Sequence, residues 1–316
     1  MTKKGPGFLF NRARVITAIE ELSADIDAIE QDNTLYAEKS FEERAEAIDL
    51  LEFQLTEHLE YLLRETTQPG ELMVLKRRVE KIKTELEEID HVLFQKLRES
   101  IRGSEYRGTK FKKLVSGYFD LKPEISEWQE APGYDNLDIF INRLFSFQPI
   151  PEPTKSLEPE MVYYQKTPAR LIFELADKVR FSKQDVFFDL GSGLGQVAIL
   201  VNLLTGVKTV GVEFEPVFCE YATNAAKELN LSGVTFINTD ARTADYSEGT
   251  VFFLYTPFRG EILEEVFELL RKQALMKKII VITYGPCTAR FASQNWLNSA
   301  GSKNDSIYKM VVFNSF

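Results

Sequence analysis

Three glycines at alternate positions, Gly191, Gly193 and Gly195, follow Asp189, which lies near the end of a short apolar run. Glycine has no Cβ, so a ligand can approach its backbone closely. Apolar residues resume after the turn with the spacing of a helix, and the free N–H groups at the start of a helix attract polar ligands. The stretch therefore predicts a strand, a glycine turn and a helix that together form a ligand site.

Two acids at the ends of later apolar runs could complete that site. Glu213 ends the run 209–213, and a carboxylate there can accept hydrogen bonds from both hydroxyls of a ribose. Asp240 follows the run 234–238, where an acid can accept a hydrogen bond from an adenine amino group. A dinucleotide fingerprint would need its third glycine where Gln196 stands, which argues against a nicotinamide-dependent enzyme.

The pattern Asp-x-Gly-x-Gly-x-Gly, taken with Glu213 and Asp240, resembles the class I S-adenosyl-L-methionine-dependent methyltransferases over roughly residues 161–316. Within them, Asp-Leu-Gly-Ser-Gly-Leu-Gly-Gln followed by Val-Gly-Val-Glu looks like the histone lysine methyltransferases of the disruptor-of-telomeric-silencing type. The resemblance implies S-adenosyl-L-methionine as cofactor. The implied cofactor-binding residues are Tyr164, Thr167, Asp189, Gly191, Ser192, Gly193, Gly195, Gln196, Glu213, Asp240 and Ala241.

Tyr164 and Thr167 are included because, in the class I enzymes, the segment before the first helix folds over the methionine half of the cofactor. The alternative is that Tyr163 and Tyr164 merely pack on the sheet.

The candidate catalytic residues are Tyr255, Thr256, Pro257 and Phe258, which follow the apolar run 251–254. In a parallel sheet the site lies outside the carboxyl ends of the strands, so this turn should face the transferred methyl group. The turn resembles the Asn/Asp-Pro-Pro-Tyr/Phe turn of amino methyltransferases, in which the aromatic ring stacks on the substrate. Tyr255 and Thr256 replace the amide or acid and the first proline, and the telomeric-silencing type carries asparagines and phenylalanines here. The alternative is that Pro257 simply ends a strand.

Methyl transfer requires alignment and desolvation more than acid–base groups, so the lack of a catalytic histidine or cysteine is no objection. Tyr255, or a carbonyl of the turn, could assist deprotonation of an amine. The sequence thus predicts a methyltransferase with an unidentified acceptor, a protein side chain being slightly favoured. The alternative is a non-catalytic, cofactor-binding scaffold whose helical half is a protein-interaction or dimerisation module.

The predicted fold is α/β: a seven-stranded Rossmann-like methyltransferase sheet, preceded by an all-α domain that forms a bundle or resembles a coiled coil. Residues 1–102 carry apolar residues three and four apart and predict three long helices, through which a homodimer could form. Residues 103–160, with several prolines, are interpreted as a connecting region with short helices and a linker. Residues 161–316 form the predicted methyltransferase domain.

The net charge of -10, with neither half of the chain basic, makes nucleic acid an unlikely partner. The two cysteines and two histidines predict neither a disulfide framework nor a metal site. No signal-peptide core and no apolar run long enough for a membrane span occur, so we expect no membrane partner and a cytoplasmic location.

Overall fold

The computed structural model describes residues 6–66, 69–121, 133–146, 148–299 and 309–316. The chain divides into two compact units, Met1–Lys96 and Leu97–Phe316. No helix in these described ranges is both long and apolar enough to cross a membrane.

The first unit is helical. Its helices are α1 (Pro6–Gln31), α2 (Phe41–Asp49), α3 (Glu57–Glu65) and α4 (Gly70–Arg102), of which α4 runs past the end of the unit; a 3-10 turn (Asn33–Tyr36) precedes α2, and a π-helical stretch (Leu50–Thr56) joins α2 to α3. Residues three and four apart on each helix are buried together, as the apolar spacing predicts. This core contains Leu22, Ile26, Ile29, Ile48, Leu51, Leu55, Leu59, Leu62, Leu72, Leu75, Val79, Ile82 and Leu86.

One buried ion pair lies within this helical unit. Arg44 is fully buried, its Nε donates to Asp90 Oδ1 over 2.7 Å, and its Nη1 donates to the carbonyl oxygens of Leu35 and Ala37. A buried guanidinium that lost this partner would be left uncompensated, so the pair fixes how α2 meets α4.

The second unit is an α/β sandwich with a seven-stranded sheet, as predicted. The strands are β1 (Val186–Leu190), β2 (Lys208–Glu213), β3 (Val234–Asn238), β4 (Val251–Leu254), β5 (Ile280–Thr283), β6 (Leu297–Ser299) and β7 (Val311–Ser315). The helices are α5 (Thr109–Val115), α6 (Asn136–Phe145), α7 (Ala169–Lys178), α8 (Gln196–Thr205), α9 (Pro216–Glu228), α10 (Gly260–Met276) and α11 (Thr288–Ala292).

The sheet order is β3-β2-β1-β4-β5-β7-β6, with β1 to β5 parallel and β7 antiparallel to both of its neighbours. The strand order reverses at β1, which pairs with β2 on one side and β4 on the other. Ligands of open α/β sheets bind outside the carboxyl ends of the strands at such a reversal. Asp189, which pairs with Gly211 and Phe253, stands at that point.

The compact units divide the chain at a different place from the predicted boundaries. Residues 103–160, interpreted from sequence as a connecting region, belong to the second unit. Helix α5 packs on α8 and α6 packs on α7, and the Asp138 carboxylate accepts a hydrogen bond from the N–H of Ala169 at the start of α7. The short apolar stripes of α5 and α6 can be buried only against these later helices, a contact that local spacing does not reveal.

Candidate active site

A cleft of about 1210 Å³ opens at the carboxyl edge of the sheet. The ends of β1, β2 and β4, the residues after β3, the segment before α7 and the proline-rich segment 150–157 all line it. All of these elements belong to the second unit. The cleft therefore gathers the glycine turn, both predicted acids and the predicted acceptor turn in one place.

Asp189 is the most unusual ionisable group in the cleft. Its side chain is only 3% exposed, and Oδ2 has no hydrogen-bond partner among the described residues. Burial, and next the nearby Glu213, raise the pKa of this carboxyl to about 8. A buried acceptor oxygen without a hydrogen bond destabilises the folded state. A cationic ligand that reached Asp189 could donate the hydrogen bond that no described residue donates to Oδ2.

The glycine turn leaves room for neighbours that a side chain would displace. Gly191 and Gly193 have φ of 80° and 52°, in the region that favours glycine. A Cβ at Gly193 would overlap the ring of Tyr164, and one at Gly191 would overlap Pro257 of the acceptor turn. The glycine turn is thus covered by the segment before α7, through Tyr164, and by the acceptor turn, through Pro257. These are the two segments predicted to surround the transferred methyl group.

Tyr164 lies beside the turn, with its ring centroid 5.5 Å from that of Phe218. Burial raises the pKa of its phenol. Tyr163, in contrast, is 85% exposed and does not pack on the sheet. Of the two readings given for this pair, the structure therefore favours Tyr164 as a wall of the cleft.

Three further predicted residues form the buried floor of the site near the start of α8. Gln196 donates through Nε2 to the carbonyl oxygen of Thr167 over 3.3 Å, and both side chains are buried. Ser192 is buried as well, and its Oγ has no partner among the described residues. Gly195 caps α8 in a left-handed conformation and does not line the cleft directly, because Phe236 and Ala222 lie against it.

Glu213 faces the glycine turn from the end of β2. Its Oε2 accepts from the N–H of Gly193 over 2.7 Å, and its Oε1 accepts from the N–H of Glu215 over 2.8 Å. Burial raises the pKa of this carboxyl, and these backbone donors act against the rise. The carboxylate is therefore held at a fixed position beside the turn.

Asp240 is not a free acceptor. Arg242 donates to it from its backbone N–H and from Nε and Nη2 of its guanidinium, over 2.8, 3.0 and 2.6 Å. The hydrogen bonds from Arg242 hold the pKa of Asp240 below its usual range. Ala241 also lines the cleft, and its carbonyl oxygen accepts from the Tyr246 hydroxyl over 2.7 Å.

The acceptor turn is strained. Thr256 has a φ of 44°, a region that β-branched residues avoid and that costs about 1–3 kcal/mol. Its Oγ1 donates to the carbonyl oxygen of Tyr284 over 2.9 Å, and the Pro257 carbonyl oxygen accepts from the N–H of Val162. The half-buried Tyr255 has its ring centroid 5.2 Å from that of Tyr284, and burial raises the pKa of its phenol.

Phe258 departs from the expectation that it stacks on the acceptor. Only 5% exposed, it packs in the core of the second unit with Ile262, Leu263 and Val266, although one edge still reaches the cleft. Met161 forms an isolated antiparallel bridge with Phe258, which ties the turn to the segment before α7. The structure therefore favours a packing role for Phe258.

Sequence reasoning missed several residues of this cleft. Glu215 accepts from Thr154 and from the N–H of Lys155, so it fixes the proline-rich segment at the rim. Tyr134 lines the same rim. Arg242, behind the cleft wall, donates hydrogen bonds to Asp240. The sequence around Tyr134 and Thr154 carries no periodic signal, because these contacts join positions far apart in the chain.

One family model matches part of the second unit. Residues 158–266, about a third of the chain, match the family model of the histone methylation protein DOT1. The second unit carries a methyltransferase domain. The predicted resemblance to the class I methyltransferases, and within them to the telomeric-silencing type, is confirmed. No curated protein matches the chain.

Several solved structures are similar to about half of the chain. An RNA methyltransferase from Salinibacter ruber, in complex with S-adenosyl-L-homocysteine, is 23% identical with a TM-score of 0.37 and covers 48% of this chain and 92% of its own. Precorrin-6y C5,15-methyltransferase from Geobacter metallireducens is 13% identical, with a TM-score of 0.35 and coverage of 49% and 92%. Geranyl diphosphate C-methyltransferase from Streptomyces coelicolor is 14% identical, with a TM-score of 0.36 and coverage of 46% and 76%.

The residues of the cleft fit S-adenosyl-L-methionine. The unpartnered Asp189 Oδ2 suits the ammonium of its methionine half, and the unpartnered Ser192 Oγ offers a further polar contact close by. Glu213 is held where a ribose could donate to it, and Asp240 lies further along the same edge. Asp189 in β1, Glu213 at the end of β2 and Asp240 after β3 thus stand at three adjacent strands of the sheet.

Proposed function

We propose that the second unit transfers a methyl group from S-adenosyl-L-methionine to a protein side chain. The observation that carries this proposal is the buried, partnerless carboxylate oxygen of Asp189, set in one cleft with the glycine turn, Glu213 and a tyrosine-lined acceptor turn. Buried carboxylates normally accept hydrogen bonds from the protein. Because Asp189 Oδ2 accepts none from the described residues, we infer that it binds a cationic ligand.

When bound, the sulfonium supplies an activated methyl group and leaves as a neutral thioether. The protein's share is alignment in a site from which water is excluded. Asp189 binds the ammonium of the methionine part, and Glu213 binds the ribose hydroxyls. The Tyr164 ring covers the glycine turn between these two acids. The acceptor approaches over Tyr255 and Thr256.

Tyr255 is suited to orient the acceptor rather than to remove its proton as a phenolate. Because burial raises the pKa of its phenol, the hydroxyl keeps its proton at neutral pH. A neutral phenol can still accept a hydrogen bond from an amine through its oxygen. The amine's proton leaves to water at the mouth of the cleft, and a carbonyl oxygen of the turn can accept a hydrogen bond from the remaining N–H.

A protein acceptor is supported by the match to the family model of a histone methylation protein and by the exposed Tyr163 at the mouth of the cleft. The acidic net charge of -10 argues against nucleic acid. A homodimer through the first unit and a cytoplasmic location stay predictions.

Replacing Glu213 by alanine should weaken the binding of S-adenosyl-L-homocysteine to the full chain by roughly 1.5–3 kcal/mol, the range for hydrogen bonds to a charged group. Isothermal titration calorimetry at pH 8 measures this loss. Glu220→Ala, an exposed change on α9, is the matched control and should bind like the wild type. Unchanged affinity in Glu213→Ala would remove Glu213 from the site, and heat from NAD at similar concentrations would contradict the cofactor assignment.

A further inference from the structure

Arg242 donates hydrogen bonds to both carboxylate oxygens of Asp240 but leaves one acceptor position of Oδ2 unfilled. Oδ1 accepts from both the backbone N–H and Nε of Arg242, whereas Oδ2 accepts from Nη2 alone. Each carboxylate oxygen offers about two lone-pair positions. By this count Oδ1 is saturated, and Oδ2 keeps one acceptor position.

Arg242 is itself fixed from its far side. Its Nη2 also donates to Glu158 Oε1 over 2.7 Å, so one nitrogen bridges two carboxylates. Only 23% of the Arg242 side chain and 20% of the Asp240 side chain are exposed. Pairs at this depth are screened less than surface pairs, and a guanidinium that serves two acceptors at once has little freedom to turn.

We propose that Arg242 is a positioning residue that aims Asp240 Oδ2 at the base of the cofactor, so that the cleft selects a 6-amino purine over a 6-oxo purine. This inference rests on the proposed function, because it needs an adenosine-containing ligand in the cleft. Asp240 and Ala241 line that cleft, whereas Arg242 stands behind them.

The chemistry of selection follows from the charge state of Asp240. An ionised carboxylate only accepts hydrogen bonds, and Arg242 keeps Asp240 ionised by lowering its pKa, with a smaller contribution from Lys155. A 6-amino group donates to Oδ2, whereas a 6-oxo group would set one acceptor against another. A site built to pair with a donor rejects an analogue that lacks it far more strongly than an apolar pocket rejects a change of size.

Without the guanidinium, Asp240 would lose two of its three hydrogen bonds from Arg242 and could turn away or take up a proton. The groups that face it would then be Lys155, whose charge favours the ionised form, and Glu158, whose charge opposes it once Arg242 no longer separates the two acids. The preference for the 6-amino base should fall, and affinity should drop more steeply than in the wild type as pH falls from 6 to 4.

The test titrates the full chain with S-adenosyl-L-homocysteine and with its 6-oxo analogue, S-inosyl-L-homocysteine. The wild type should prefer S-adenosyl-L-homocysteine by about 100-fold. This factor is on the scale of one hydrogen bond from the 6-amino group to the charged carboxylate, together with the repulsion between that carboxylate and a 6-oxo oxygen. Arg242→Gln should reduce that ratio to below about tenfold, as the acceptor loses its fixed direction. Arg271→Gln removes an exposed arginine that pairs with Glu268 on α10, and it should leave the ratio unchanged.

A second readout separates positioning from a merely structural role. As pH falls from 6 to 4, Arg242→Gln should lose affinity for S-adenosyl-L-homocysteine relative to the wild type, because Asp240 regains its ordinary pKa. A purely structural role would lower both affinities equally and keep the ratio and the pH profile of the wild type. That result, with normal melting of the variant, would overturn the inference while leaving the proposed function intact. Failure of the wild type to bind either compound would overturn both.

Discussion

Replacing Asp189 by asparagine should lower the affinity for S-adenosyl-L-homocysteine by about 100-fold, the scale of a lost hydrogen bond between charged groups. The ammonium of the ligand is the partner that Asp189 Oδ2 lacks, and an amide cannot offer it a charge. Calorimetry of the wild type and the variant at pH 8 measures the loss. Asp25→Asn, at an exposed position of α1, is the matched control and should bind normally.

The same carboxylate predicts how binding depends on pH. Because the pKa of Asp189 is raised to about 8, the free protein holds a proton at pH 6 that must leave when the ammonium binds. Affinity should therefore rise between pH 6 and 8, by up to about tenfold per pH unit. Affinity that stays flat over this interval in the wild type would contradict a buried Asp189 that meets the cofactor's amine.

Stability should change in the opposite sense. The folded state keeps the Asp189 proton up to about pH 8, whereas the unfolded chain releases it near the usual value of 3.8. The ligand-free wild type thus loses stability as pH rises through that window. Asp189→Asn cannot titrate, so its melting temperature should exceed that of the wild type by an amount that grows from pH 5 to pH 9. An equal difference at all pH values would show that burial does not shift Asp189.

Replacing Phe258 by alanine should cost about 3–5 kcal/mol of stability, the range for removing a buried phenylalanine. Phe258 is packed with Ile262, Leu263 and Val266 and leaves a cavity when shortened. Chemical unfolding of the full chain measures the cost, and activity per folded molecule should persist. Phe316→Ala removes an exposed ring and should change stability by no more than about 0.5 kcal/mol. A normal melt of Phe258→Ala with transfer abolished would instead place the ring on the acceptor.

The centre of the cleft could be read from the sequence because its signals are local. The apolar run of β1, the glycines after it and the apolar stripe of α8 are consecutive, Glu213 ends β2, and Asp240 follows β3. Parallel pairing then brings these ends to one edge of the sheet. Side-chain direction was not readable in the same way: Asp240 was expected to face a base freely, yet Arg242 takes most of its acceptor positions.

The rim of the cleft depends on contacts that no local pattern encodes. Glu215 fixes Thr154 and Lys155 from sixty positions away, and α6 caps α7 through Asp138. Thr256 adopts a positive φ that β-branched residues disfavour. The residue types of this turn therefore do not predict its backbone conformation. Three anchors outweigh that preference: its own hydroxyl on Tyr284, the bond from Val162 to Pro257, and the Met161–Phe258 bridge.

The most direct test of the central claim follows tritium from the methyl group of S-adenosyl-L-methionine into a cell lysate in the presence of the purified full chain. The wild type should label material that protease destroys and nuclease spares, and Asp189→Asn should label far less at the same protein concentration. Binding of S-adenosyl-L-homocysteine by the wild type without any transfer of label would contradict a methyltransferase and point to a cofactor-binding scaffold. Label that nuclease removes would contradict the protein acceptor.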